Sequence, residues 1–190
     1  VKVNEFIHNR TGFHRACEQG NPLVVKMFME NATSLGIDLN GKDNNGWTGF
    51  HMACERGYAT MVEIFMVNAA TLKIDLDAKI KSGYTALHMA CGGDHLDVVK
   101  LFIENAVALS IDLNKESNHG ATPFHMACKR GNSDVVKTFI ENAAVLRIDL
   151  NAKAKLLSNW TGFHLACELG NTDVVKSFMD NAATMDIDLN

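Results

Sequence analysis

The chain states one seven-residue phrase five times at a nearly fixed spacing, and that period limits the folds open to it. The phrase reads Thr11-Gly12-Phe13-His14-Arg15-Ala16-Cys17, then Thr48-Gly49-Phe50-His51-Met52-Ala53-Cys54 and Thr85-Ala86-Leu87-His88-Met89-Ala90-Cys91. It returns as Thr122-Pro123-Phe124-His125-Met126-Ala127-Cys128 and Thr161-Gly162-Phe163-His164-Leu165-Ala166-Cys167. Successive threonines stand 37, 37, 37 and 39 residues apart. A period between about 20 and 50 residues marks a stack of supersecondary units, each completing its core against its neighbours.

Local chemistry divides each unit. The threonine suits a helix N-cap, where its side chain accepts from an orphan N–H, and Pro123 suits the position after it. Gly20, Gly57, Gly131 and Gly170 then end a short first helix in the left-handed conformation. The third unit has Asp94 there, which tolerates that conformation less well, so its turn is expected to be looser or rearranged. A Val-Val-Lys run opens a second helix in four units, as at Val135-Val136-Lys137. Val135, Phe139 and Leu146, beside Val136, Ile140 and Ala143, give that helix a broad apolar face. Pairs such as Lys137 and Glu141 read as a solvated ladder. Asn31, Asn68, Asn105, Asn142 and Asn181 share one register, which raises an asparagine ladder between units. Ile-Asp-Leu-Asn segments such as Ile37–Asn40 and Ile148–Asn151 then lead toward turns like Asp43-Asn44-Asn45-Gly46. The last of these turns, around 154–159, holds two extra residues and has Asn159 where the others have Gly46, Gly83 and Gly120.

Each copy resembles the T-P-L-H-x-A signature of the ankyrin repeat. The resemblance implies an all-α repeat solenoid, a stack of helix–turn–helix–β-hairpin units. The expected units are 1–40, 41–77, 78–114, 115–151 and 152–190, forming a single array. The period is longer than the family's usual 33 residues. The surplus follows the second helix, where Ala143-Ala144 replaces a helix-ending glycine. Four residues make about one helical turn, so the second helix is expected to run one turn longer. Val1, Val3, Phe6 and Ile7 are apolar for a free end, and the sequence stops at Ile187-Asp188-Leu189-Asn190. Both ends read as cut from a longer array or a larger protein, with tolerated native caps as the alternative.

Composition narrows the function. With 47% apolar and 21% charged residues and only two prolines, the chain reads as a folded soluble protein. A net charge of −4 gives no general reason to bind nucleic acid, and no apolar run approaches membrane-spanning length. Cys17, Cys54, Cys91, Cys128 and Cys167 share one register. Stacked helices lie about 8–10 Å apart, beyond the reach of about 7 Å that a disulfide allows between Cα atoms. Buried reduced thiols and an intracellular setting, cytoplasmic or nuclear, are the expectation. The sequons at Asn9, Asn31 and Asn159 then carry no meaning.

No catalytic reading emerges. His51 and Cys54 sit at i and i+3 and both types ligate zinc, but each unit offers two ligands where a structural site needs four. The resemblance implies instead that Thr11/His14, Thr48/His51, Thr85/His88, Thr122/His125 and Thr161/His164 are structural. In the family this histidine forms hydrogen bonds that stitch units together. Asp94-His95 lacks a nucleophile at readable spacing and reads as a turn with a helix start. Phosphate-binding, dinucleotide-binding, zinc-protease and nucleophile-elbow motifs do not occur. No enzyme, metal or cofactor is implied.

What remains is surface. The resemblance implies binding of a protein or peptide partner through the turns and the exposed side of the first helices, along a concave groove. The residue before each threonine is Arg10, Trp47, Tyr84, Ala121 or Trp160. Trp and Tyr are common binding anchors. Met52, Met89, Met126 and Leu165 stand nearby, and methionine adapts to irregular partners. Lys115, Lys129, Arg130, Lys153 and Lys155 gather toward the C-terminal units, while Glu18 and Glu55 mark the other end. This charge reads either as mixed solvated charge or as the mark of a partner that offers apolar anchors and an acidic tract. Other readings stay open: aromatics lying flat as packing in a structural spacer, a metal- or redox-responsive His/Cys array, and a monomer that self-associates through the array ends.

Overall fold

The computed structural model describes residues 9–155 and 158–190. The run Val1, Val3, Phe6 and Ile7, and Leu156 and Leu157 in the longer turn, lie outside them. In chain order the helices are α1 (Gly12–Glu18), α2 (Pro22–Glu30), α3 (Ala32–Leu35), α4 (Gly49–Glu55), α5 (Ala59–Leu72), α6 (Ala86–Gly92), α7 (Leu96–Asn105), α8 (Pro123–Arg130), α9 (Ser133–Leu146), α10 (Gly162–Glu168) and α11 (Thr172–Asn181). The first helices α1, α4, α6, α8 and α10 pack on one another in sequence. So do the second helices α2, α5, α7, α9 and α11, each also against its own first helix. The result is a two-row repeat solenoid.

Phenylalanines hold the rows together. Phe13 on α1 meets Phe28 of its own unit and Phe65 of the next, at centroid distances of 5.6 and 5.9 Å. Phe50 meets Phe65 and Phe102 at 5.2 and 5.8 Å, and Phe124 meets Phe139 and Phe178 at 5.7 Å each. Edge-to-face and tilted pairs at such distances contribute about 0.5–1.5 kcal/mol beyond burial of their area. Leu87 takes this position in the third unit and is buried.

The second helices end in one way. Gly36, Lys73, Ser110, Arg147 and Asp186 all adopt the left-handed conformation, with φ between 51° and 62°. The next isoleucine N–H reaches back to an alanine carbonyl, as Ile74 to Ala69 at 2.9 Å and Ile148 to Ala143 at 3.0 Å. This is a Schellman-type ending. The expected extra turn is regular helix in α5 and α9, each 14 residues long. In the other units the regular helix ends at or beside Asn31, Asn105 and Asn181.

The asparagine ladder between units is corrected. Asn31, Asn68, Asn105, Asn142 and Asn181 each donate to the carbonyl four residues back in their own helix, at 2.8–2.9 Å. A different register joins the units. Asn40 Nδ2 donates to Lys73 O at 2.9 Å, and Asn40 Oδ1 accepts Asp75 N–H at 2.9 Å. Asn114 clamps Arg147 and Asp149 in the same way, and Asn151 clamps Asp186 and Asp188. Asp77 replaces this asparagine once, accepting from Asp112 N–H and from Lys115 Nζ.

No paired strands occur among the described residues. The connections are tight turns, each closed by a backbone bond: Asp43 N–H to Trp47 O, Ile80 N–H to Tyr84 O, Ser117 N–H to Ala121 O and Ala154 N–H to Trp160 O, at 2.8–3.0 Å. The last of these is an isolated antiparallel bridge. Successive turns touch, with Lys81 N–H on Asn45 O and Asn118 N–H on Ser82 O. Gly83 has φ 82°, and a Cβ there would lie 2.4 Å from Asn118 N, so both conformation and the neighbouring turn require glycine. Asn159 takes the left-handed conformation at φ 58°.

The turn at Asp94 is not rearranged, contrary to expectation. Asp94 adopts φ 60°, and His95 N–H bonds Ala90 O at 3.1 Å just as Tyr58 N–H bonds Ala53 O. The surrounding helices impose the conformation, and the aspartate accepts it at a cost. Asp94→Gly is therefore expected to raise unfolding free energy by roughly 0.5–1 kcal/mol, read from urea denaturation. Asn114→Ala, which removes two bonds between units, is expected to lower it by about 1–2 kcal/mol in the same assay.

Candidate partner-binding face

The Thr–His pair builds this face. In all five units the histidine Nδ1 accepts the threonine N–H and stands 2.8–2.9 Å from its hydroxyl. A nitrogen that accepts from an N–H carries no proton, so the proton of the neutral ring sits on Nε2. Nε2 then donates forward, from His14 to Gly41 O and Trp47 O at 2.9 and 3.1 Å. His88 donates to Ala121 O at 2.9 Å and His125 to Trp160 O at 3.2 Å. His51 Nε2 faces the equivalent carbonyls of Ala78 and Tyr84 but makes no bond of good geometry. Burial lowers His51 and His88 to about 4, favouring the neutral ring.

A second set of side chains was not foreseen as joining units. Tyr58, His95, Asn132 and Asn171 open the second helices and reach back to carbonyls at the end of the preceding first helix. His95 bonds Glu55 O at 2.8 Å, Asn132 bonds Cys91 O at 2.6 Å and Asn171 bonds Cys128 O at 2.8 Å. Their shared register was the available signal.

The anticipated binding residues do not all converge. Tyr84, Met126 and Lys129 line one cleft of about 210 Å³, with His119, Ala121, His125 and Leu165. His119 was missed, although it occupies the turn-tip register of Asn45 and Ser82. Trp47, Met89 and Trp160 are partly buried outside this cleft. Met52 is only 3% exposed and offers almost no surface. Trp47 packs on His51 at 6.1 Å and Tyr84 on His88 at 5.2 Å between ring centroids.

Charge is redistributed by pairing. Glu18 is bound by Arg10 at 2.7 Å and Arg15 at 3.2 Å, so it presents no free acid. Burial acts to raise its pKa, but these partners hold it below the ordinary value. Asp43, also bound by Arg10, accepts the Asn45 and Trp47 N–H groups; despite burial its pKa is lowered. Lys115 is paired with Asp77 at 3.0 Å. Lys129, Arg130, Lys153 and Lys155 are exposed and make no ion pair among the described residues.

The cysteines are free, and four are buried. Burial pushes Cys17 up to about 12 and Cys54, Cys91 and Cys128 well above the ordinary thiol value. Such thiols supply little thiolate for nucleophilic or redox chemistry. The expectation of five buried thiols is corrected at Cys167, which is exposed; among the described residues no first helix stacks on the far side of α10. Among the described residues no three His, Cys, Asp or Glu side chains are grouped to hold a metal ion.

Family models agree with this geometry. A model of ankyrin repeats in three copies matches residues 50–154, and one of ankyrin repeats in many copies matches residues 13–66. The chain belongs to the ankyrin-repeat family. Ankyrin repeats are generally protein–protein interaction modules and typically non-enzymatic. No curated protein matches the chain. Among the described residues no helix is long and apolar enough to cross a membrane.

The histidine network sets a pH dependence. Unfolded histidines titrate near 6.5, whereas His51 and His88 titrate at about 4 when folded. Between these values the unfolded chain binds more protons, so stability is fully present above about pH 6.5 and falls toward pH 4. Each histidine contributes on the order of 3 kcal/mol to that loss. Urea midpoints measured across this window should fall steeply for the parent and less for His51→Gln/His88→Gln.

Proposed function

We propose that the array holds a protein partner, through an extended peptide segment or an exposed loop, along the face formed by the turns and first helices. The observation that carries this reading is the cleft joining Tyr84, Met126 and Lys129, an aromatic, a flexible apolar and a cationic side chain. An apolar anchor of the partner enters the cleft. An acidic tract beside it meets Lys129, Arg130, Lys153 and Lys155, none of which forms an ion pair among the described residues. The turns act as the fingers of a hairpin-edged groove, and units 1–40 to 152–190 act as one array. No nucleic acid, membrane or cofactor takes part. Four buried free thiols support an intracellular setting, cytoplasmic or nuclear.

The spacer reading draws support from the ring contacts of Trp47 on His51 and Tyr84 on His88, which give these aromatics a packing role. One experiment separates the two. The parent and a Met126→Ala/Lys129→Glu variant, matched in urea midpoint, are used to capture partners from cell lysate at two salt concentrations. Binding predicts a partner held by the parent, weakened by salt and reduced at least about 10-fold by the variant. Equal capture by both proteins would move binding to another face. Capture by neither favours the spacer.

A further inference from the structure

The cleft on the turn-and-first-helix face is built by three successive units. Tyr84 comes from the third, His119, Met126 and Lys129 from the fourth, and Leu165 from the fifth. Its space is about 210 Å³. Sites for whole drug-sized ligands run to about 300–1,000 Å³, so this one admits a single side chain. Ala121 and Leu165, 3% and 6% exposed, give it an apolar base that Met126 extends. Methionine adapts its shape to what it touches, and the chemistry of this base suits an aliphatic occupant.

Three hydrogen-bonding side chains share that small space, and none is spent. The Tyr84 hydroxyl, the His119 ring and the Lys129 ammonium form no hydrogen bond or ion pair among the described residues. All three can donate. His125 differs, since its Nδ1 is held by Thr122 and its Nε2 donates to Trp160 O. Among the described residues no acid lines the cleft. Glu116 and Asp149, whose charges act on His125, are not part of its walls. One aliphatic side chain and one anion are therefore wanted within the same cleft. An internal peptide residue does not supply both. Its leucine carries no charge, and the nearest carboxylate sits on another side chain, pointing to the opposite side of an extended segment when it is next in sequence. A free amino acid brings an ammonium as well, which Lys129 repels and no lining acid receives. A C-terminal residue carries the aliphatic side chain and the carboxylate on one Cα.

We propose that the anchor is the last residue of the partner chain. Its side chain, of leucine or methionine type, enters the cleft, and its α-carboxylate takes Lys129 with Tyr84 and His119 donating beside it. This rests on the reading of the face as a partner-binding surface and narrows the anchor to a chain end. Hydrogen bonds to an ionised carboxylate are roughly twice as strong as neutral ones, so the carboxylate carries the selectivity and the apolar base the depth of binding.

The test is a titration of the 190-residue chain, its methionine methyl groups isotope-labelled, followed at Met126 by NMR. Three peptides are the probes. One is Ser-Gly-Ser-Gly-Leu with a free carboxylate, and the second is its C-terminal amide. The third is Ser-Leu-Glu-Ser-Gly amide, in which leucine is internal and the acid is a side chain. The free acid is expected to shift the Met126 methyl with a Kd on the order of 1 mM, as fits a single anchor. It is expected to bind at least about 10-fold more tightly than either amide. Lys129→Gln, at an exposed position, is expected to remove most of that advantage. Equal binding by the free acid and its amide overturns the proposal. So does an advantage that Lys129→Gln leaves intact, or a Met126 methyl unmoved by the free acid at roughly ten times that concentration. A Leu-Glu peptide that binds as well as the free acid overturns the chain end as the source of the anion. None of these outcomes decides whether the face binds a partner, which the lysate capture answers by itself.

Discussion

Phe13, Phe50 and Phe124 on the first helices each pack on two phenylalanines, one of them in the next unit. Phe13 touches Phe28 and Phe65; Phe50 touches Phe65 and Phe102. A single unit can satisfy only half of this arrangement. Stability is then held in the interfaces as much as in the units, as expected for a quasi-one-dimensional array. The third unit presents Leu87, so its interface is aliphatic against aromatic. Clamps at Asn40, Asn114 and Asn151 fix the spacing, since their amides read backbone groups rather than side chains.

The histidines do similar work on the other edge. With Nδ1 occupied by a threonine, the ring proton can only point forward to the next turn. What it finds there is the carbonyl of Trp47, Ala121 or Trp160. The scaffold uses this position through its backbone and leaves its side chain unspecified. That is why the five residues there differ so widely, from Arg10 to Trp47, Tyr84, Ala121 and Trp160. A position fixed in space and free in chemistry suits recognition. Packing still takes a share of it, because Trp47 and Tyr84 rest on the histidines of their own units.

Periodicity made the fold legible. The threonine caps, the left-handed glycines and the two helices per unit follow from residue types whose backbone preferences are strong. Register alone reveals that residues are equivalent, not where their side chains point. Asn68 and Asn105 looked like rungs between units, yet an asparagine inside a helix finds the carbonyl four residues back first. Asn40 and Asn114 looked like the lead into a turn and proved to be the rungs. Asp94 was misjudged because its neighbours, not its own propensity, decide its φ. Met52 and Met126 share a position in the repeat, but one is buried and the other lines a cleft, a difference of neighbouring units that the period conceals.

The basic side chains differ in how far they point to a partner. Lys115 has an acid to answer it, and Glu18 has its arginines, so both have structural reasons to be charged. Lys129 and Arg130 occupy the last turn of α8, where cations favour the helix dipole by about 0.3–1 kcal/mol. Their charge is partly explained without any partner. Lys153 and Lys155 sit outside the helices, exposed, with no ion pair among the described residues. No helix end accounts for either of them, although the charge of Lys153 acts on nearby Asp188 and, after the Asn190 N–H, helps to lower its pKa. Lys155 therefore fits the proposed acidic partner better than Lys153 does, and Lys129 gains its significance from lining the cleft beside Tyr84 and Met126.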